Sequence, residues 1–171
     1  MEVIELIMAI ATAAMAVATF WLVCESRRAS FRQIGVQTWL ELEKRFDSVE
    51  MKRARKKLAQ QLKSYSPNKH DKISETVLNF FESLGIAYKS GYLDKKLAAS
   101  SFSFHACRWW EGVKPYVDQE QKRHDEDITL FEDFKDLAGM LRLPDEKIDS
   151  EELSLFFDDE ERLAIDWPCL N

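Results

Sequence analysis

Hydrophobic and polar positions follow two regimes along this chain. From Leu6 to Cys24 the run LIMAIATAAMAVATFWLVC holds 19 residues without a charged side chain. As an α-helix it spans roughly 28 Å at 1.5 Å per residue, close to the ~30 Å hydrocarbon thickness of a bilayer. Beyond Cys24 no such run recurs. Apolar residues there return every three or four positions, the pattern of amphipathic helices.

That spacing predicts a helix continuing from the apolar run over about Glu25 to Phe46, with Phe31, Ile34, Thr38, Leu42 and Phe46 on one stripe. Asp47 reads as the N-cap of a second helix, with Glu50 completing a box-like pair. This helix extends to about Tyr65. Val49, Met51, Ala54, Leu58, Leu62 and Tyr65 form its buried side, and Lys52, Arg53, Arg55, Lys56 and Lys57 its outer side. The loop Ser66-Pro67-Asn68 ends it. Ser74 is expected to cap a third helix, through Ser90. Its residues Val77, Phe80, Phe81, Leu84, Ala87 and Tyr88 cover a wide arc, which places it at the centre of the core. Gly91 closes it in a C-cap role. Asp94 is expected to cap a short helix through Ala99. Another starts near Phe102, holds Phe104, Trp109, Trp110 and Val113, and is kinked or ended by Pro115. Asp127 opens a helix with Ile128, Phe131, Phe134, Leu137 and Leu141 inward, stopped by Pro144. Ser150 opens the last, with Leu153, Phe156, Phe157 and Leu163 inward, ending before Trp167-Pro168.

Gly and Pro number only 5 and 4, which disfavours a sheet rich in tight turns. The expected fold class is all-α: a single N-terminal transmembrane helix followed by a multi-helix cytoplasmic bundle. The anchor occupies 1–25 and the helical domain 26–171. A cleaved signal wants a basic start and a small-residue cleavage site. Here Glu2 and Glu5 precede the run, and Phe20, Trp21 and Leu22 follow its alanines, so an uncleaved anchor is the better reading. Arg27, Arg28 and Arg32 follow the run, and no Lys or Arg precedes it. The positive-inside rule then puts the amino terminus outside and the domain in the cytoplasm, at the inner (plasma) membrane.

Charge is unevenly placed. Residues 25–72 carry 13 Lys and Arg against 6 Asp and Glu, whereas residues 125–171 carry 4 against 16. Anionic lipid would attract the first segment and repel the second. Alternatively the basic and acidic parts pack together. The overall acidic balance, a net charge of −6, argues against a nucleic-acid partner. Cys24, Cys107 and Cys169 are scattered and form no C-x-x-C pair, which fits a reducing compartment. Cys24 reads as an inert boundary residue, with acylation as the alternative.

The stretches FDSVEMKRARKKLA, VLNFFESLGIAYKSGYLDKKL and FHACRWWEGVKPYV carry a resemblance. Over roughly 36–143 the chain resembles an uncharacterised family of short bacterial proteins with one N-terminal membrane helix and a helical cytoplasmic domain of unknown function. The resemblance implies a fold and a bacterial or prophage source. It implies no activity and carries over no catalytic residue.

Candidate chemistry is sparse. His105 and Cys107 are two apart, and residues so spaced on a helix point apart. With His70 and His124 they lack the paired spacings of a zinc site. Asp125-Glu126-Asp127 and Asp158-Asp159-Glu160-Glu161 lack a calcium-loop pattern and read as helix-start acids and a solvated face. No phosphate-binding glycine loop, nucleophile elbow or H-E-x-x-H motif occurs. No catalytic, metal or cofactor residue is therefore assigned, and no cofactor is expected. Contact residues for anionic lipid or a protein partner are Lys52, Arg53, Lys56 and Lys57, together with Trp109 and Trp110. Adjacent tryptophans on one helix are not both expected to face a core, so one is assigned to a groove or partner surface. Small residues four apart, such as Thr12 and Ala16, suggest self-association in lipid. The functional expectation is a membrane-anchored interaction or regulatory module. The alternative is a membrane-tethered enzyme whose site assembles only in three dimensions.

Overall fold

In a computed structural model of the protein, residues 2–65, 73–123 and 129–163 are described. They form six α-helices, and no strand occurs among them. The first, α1 (Glu2–Phe46), is one uninterrupted helix of 45 residues, about 67 Å long at the α-helical rise. From Val3 it is long and apolar enough to cross a membrane, and none of its most apolar window is buried. Of the expected inward stripe, Leu42 and Phe46 meet the domain, whereas Phe31 and Ile34 are 58% and 44% exposed. In the N-terminal half of the stripe Gly35 and Trp39 take the inward positions. At Gly35 the rod lies against the turn: a Cβ there would lie 3.4 Å from the Tyr92 carbonyl oxygen and 3.9 Å from the Asp94 amide nitrogen.

Helix α2 (Val49–Lys63) is capped by Ser48, not Asp47: Ser48 Oγ accepts from the Met51 amide at 3.1 Å. The Asp47 amide is still donating to the Glu43 carbonyl at 2.9 Å, so Asp47 belongs to the end of α1. Glu50 consequently falls one place short of a capping box. The loop Ser66-Pro67-Asn68 lies outside the described residues. Helix α3 (Thr76–Lys89) begins after Glu75, which offers no side-chain cap. Ser74 is not the cap: the helix starts two residues later, at Thr76, and the Ser74 amide donates to Gln61 Oε1 of α2 at 2.9 Å. Gly91 acts as expected. It adopts φ +73°, the Tyr92 amide donates to the Ala87 carbonyl at 3.1 Å, and the Gly91 amide donates to that of Tyr88 at 3.2 Å. These two bonds are a Schellman motif, which favours glycine at the left-handed position.

Asp94 Oδ1 accepts from the amides of Lys96 and Leu97 at 2.9 and 3.0 Å and so caps α4 (Lys95–Arg123), as expected. The two helices expected here are one, 29 residues long, and Pro115 sits inside it. An interior proline costs about 3 kcal/mol. Val113, Tyr116 and Val117 are buried on either side of it, and that packing carries the helix through. Helix α5 (Glu132–Leu141) starts at Glu132; Asp127 and Ile128 lie outside the described residues. Phe131 stands before it with φ 59° and is buried. The cap comes from far away: the Glu82 carboxylate of α3 accepts from the amides of Phe134 and Asp133 at 2.7 and 3.3 Å. Helix α6 (Ser150–Glu161) opens at Ser150, as expected, and is capped by Asp149, whose side chain accepts from the Glu152 amide at 2.8 Å. It ends at Glu161, and Trp167-Pro168 lies outside the described residues.

Helices α3 and α4 form an antiparallel hairpin beside the distal end of α1. The turn between them packs on Gly35, Trp39 Nε1 donates to Ser101 Oγ at 3.1 Å, and the Phe46 ring lies 4.9 Å from His105. α4 therefore runs in the same sense as α1. α5 packs across one side of this hairpin, while α2 and α6 cover the other. At Gly85 of α3 a Cβ would come within 2.3 Å of the Asp133 carbonyl oxygen, so α3 and α5 meet backbone to backbone. The core is centred on α3, as its wide apolar arc predicts: Val77, Leu78, Phe80, Phe81 and Leu84 are wholly buried. Phe81 stacks on Phe134 at 4.9 Å and meets Phe80 edge-on at 5.2 Å.

Candidate functional site

The charges of α2 point two ways. Lys52 and Lys56, and Arg53 and Lys57, are pairs four apart that stack along the helix, and the two rows together make one broad outward sector. Arg53 and Lys57 are exposed, and Lys52 and Lys56 are partly covered. None of the four forms an ion pair with another described residue. Arg55, expected on the same outer side, is buried instead. Its guanidinium donates to Glu160 of α6 through Nε at 2.8 Å and Nη2 at 2.6 Å, and it lies 4.2 Å from the Phe46 ring centroid. Glu160 is buried too, so this part of the acidic run is not a solvated face. Lys63 reaches Asp158 at 2.6 Å and Glu161 at 3.0 Å at the far end of the same pair of helices. The acidic C-terminal segment thus packs on the basic helix.

His105 of α4 completes this node. Its Nε2 lies 3.4 Å from Arg55 Nη2 and 3.6 Å from Glu160 Oε1. Burial, reinforced by the charges of Arg55 and Arg108, lowers its pKa to about 4. The ring is therefore neutral near pH 7, and a neutral ring accepts from Arg55 at Nε2 and carries its proton on Nδ1, which is buried without a partner. Burial pushes Glu160 above the usual carboxylate range, and its bonds from Arg55 oppose that. Beside the node, Arg108 pairs with Glu152 and covers the Phe104 ring at 3.7 Å. The chemistry is that of a clamp: a desolvated, doubly hydrogen-bonded ion pair fastens α6 to α2.

Cys107 faces the other way, donating to the Ala138 carbonyl of α5 at 3.5 Å. Burial raises its thiol pKa. His105 and Cys107 thus serve different interfaces, as their spacing predicts. Among the described residues no group of three or more His, Cys, Asp or Glu is placed to hold a metal ion. His70, His124, Cys169 and Asp125-Glu126-Asp127 lie outside those residues.

The expectation for the tryptophan pair is corrected: both are buried, Trp109 completely and Trp110 with 8% exposed. Helix α4 is covered on two sides, so neighbouring positions find different cores. Trp109 packs on Phe156 and Phe157 of α6 at 5.1 and 5.7 Å, and Trp110 on Phe134 of α5 at 5.2 Å. The remaining edge of Trp110 lines an open cleft of about 490 Å³ with Lys89, Lys114, Lys135 and Arg142. There Lys89 is bound by Asp133 and Asp136, and Arg142 by Glu111. A second groove, of about 750 Å³, lies between α1 and the α3–α4 turn, lined by Phe31, Gly35, Val36, Leu93, Lys95 and Lys96 among others. Sequence reasoning missed it, because its two walls are more than fifty residues apart. The doublet Lys95-Lys96, right after a cap residue, is its one local trace.

Among the described residues these features define an all-helical protein with one helix long and apolar enough to span a membrane. The chain belongs to the family described as domain of unknown function DUF4760, which matches residues 6–141. The match starts at Leu6, the first residue of the apolar run, and takes in nearly all of residues 36–143. No curated protein matches the chain, and no solved structure does.

Proposed function

We propose that this protein is a membrane-anchored interaction or regulatory module, with its domain at the cytoplasmic face of the inner (plasma) membrane and its amino terminus outside. The continuity of α1 carries the reading. Its apolar half stands bare, with Ile7, Met8, Ile10, Val17, Phe20 and Trp21 each about two-thirds exposed, while its distal end is built into the core through Phe46. An exposed apolar surface of that length demands a cover, and a run of bilayer length is matched by lipid. Because anchor and domain share one helix, the domain is held in a set orientation to the membrane. The outward sector of α2, which forms no ion pair among the described residues, is then available to an acidic protein partner.

The test is extraction and topology. In membranes carrying the full-length protein, the chain should resist alkaline carbonate and yield only to detergent. A reporter that works only in the cytoplasm, fused after Asn171, should be active. Release by carbonate would refute the anchor, and activity of a periplasmic reporter at the same position would reverse the orientation.

A further inference from the structure

We propose that the groove between α1 and the α3–α4 turn binds the headgroup of an anionic phospholipid from the bilayer that holds α1. This rests on the anchored reading above. Helix directions fix which end of the domain faces the membrane. Gly35, which touches the turn, stands eleven residues beyond Cys24, roughly 16 Å of helix. The polar layer of each leaflet occupies about 5–7 Å of that height. The turn therefore sits on the order of 10 Å beyond the headgroups, while the groove's near wall at Phe31, four residues closer, stands only about 4 Å beyond them, inside the ~8 Å Debye length at physiological salt. Phe46 stands twice as far out. From its level α2 runs outward, in the same sense as α4: Arg55 lies by His105, Leu62 by Gly112 and Tyr65 by Tyr116. The basic sector of α2 is thus beyond reach of the lipid, and the contact residues shift to the turn.

The groove suits an anionic amphiphile. Phe31, Val36, Leu93 and Leu97 supply an apolar wall, and Lys95 and Lys96 are exposed at its rim. The carboxylate of Asp94, the acid in its lining, is committed to capping α4. Neither lysine forms an ion pair with another described residue, although Lys95 Nζ lies 5.6 Å over the Tyr88 ring. Arg27 stands one turn nearer the membrane than Phe31 on the same face of α1, and both line one shallow depression. Tyr92, half exposed at the tip of the turn, adds an amphipathic ring of the kind enriched at membrane interfaces. Basic pockets beside a membrane helix on the cytoplasmic side are suited to acidic headgroups.

Hydrogen–deuterium exchange of the full-length protein in lipid nanodiscs tests this. Discs of phosphatidylcholine alone are compared with discs that also contain phosphatidylglycerol. Amides of residues 91–97 should exchange several-fold more slowly in the anionic discs. The variants Lys95→Glu/Lys96→Glu and Lys95→Gln/Lys96→Gln should lose that slowing, with α3 exchanging as in the parent to report an intact fold. Equal exchange in the two discs, slowing that survives both variants, or the same slowing produced by inorganic phosphate in neutral discs would overturn the headgroup site. In each of those cases protection of residues 6–24 would leave the anchor standing. Failure of the protein to enter discs, with residues 6–24 exchanging freely, would overturn the anchor and this proposal with it.

Discussion

Removing Glu160 should unfold much of what α6 holds. The replacement Glu160→Leu keeps the volume but strands the Arg55 guanidinium, which has 5% side-chain exposure and no other carboxylate acceptor among the described residues. Breaking a buried pair from one side costs about 3–5 kcal/mol, because the surviving charge stays desolvated. A typical domain is stable by only ~5–15 kcal/mol, so the loss is a large share of the whole. Arg55→Met should be nearly as harmful, since it strands Glu160 and also removes the cation from the Phe46 ring. The double variant Arg55→Met/Glu160→Leu is the discriminating one. Replacing a buried pair with apolar residues of similar volume is often neutral or stabilising, so it should recover most of the loss. Urea unfolding of the full-length protein in mild detergent measures this through tryptophan fluorescence, because Trp109 packs directly on Phe156 and Phe157 of α6. The midpoint should fall steeply for each single variant and return toward the parent for the double. A Glu160→Leu midpoint equal to the parent's would show that the pair does not clamp α6. A double variant as weak as the singles would refute the desolvation argument.

Phe81→Ala removes a wholly buried ring that touches Phe46, Phe80 and Phe134. It should destabilise by about 3–5 kcal/mol in the same urea assay; a parent-like midpoint would displace α3 from the centre of the core. His105 predicts a pH dependence. Its folded pKa, about 4, lies below the 6.5 of an ordinary histidine, so between those values the unfolded chain binds more protons and stability falls as pH falls. At 1.36 kcal/mol per unit the parent should lose up to about 3 kcal/mol relative to His105→Gln between pH 6.5 and 4, and parallel stability curves for the two would contradict a buried neutral imidazole.

Some features were legible because their causes are local. The apolar run of α1, the Schellman turn at Gly91, the Asp94 cap and the core role of Phe80 and Phe81 each rest on residues within a few positions of one another. A helix hydrogen bond spans four residues, and an apolar stripe repeats within two turns. Tertiary structure decided whatever depended on a partner from elsewhere. Arg55 looks like one of six interchangeable cations until α6 brings Glu160, 105 residues away, against it. Trp109 and Trp110 compete for one core in a single helix, and both are satisfied once α5 and α6 supply two. Glu82 caps α5 from 52 residues back, and Gln61 of α2 holds the Ser74 amide just ahead of α3. The groove at the α3–α4 turn forms only because the face of α1 at Gly35 lies against a turn more than fifty residues further on. Period and composition carry no information about which faces meet. Close packing and the desolvation of charge select those pairings only when the whole chain has folded.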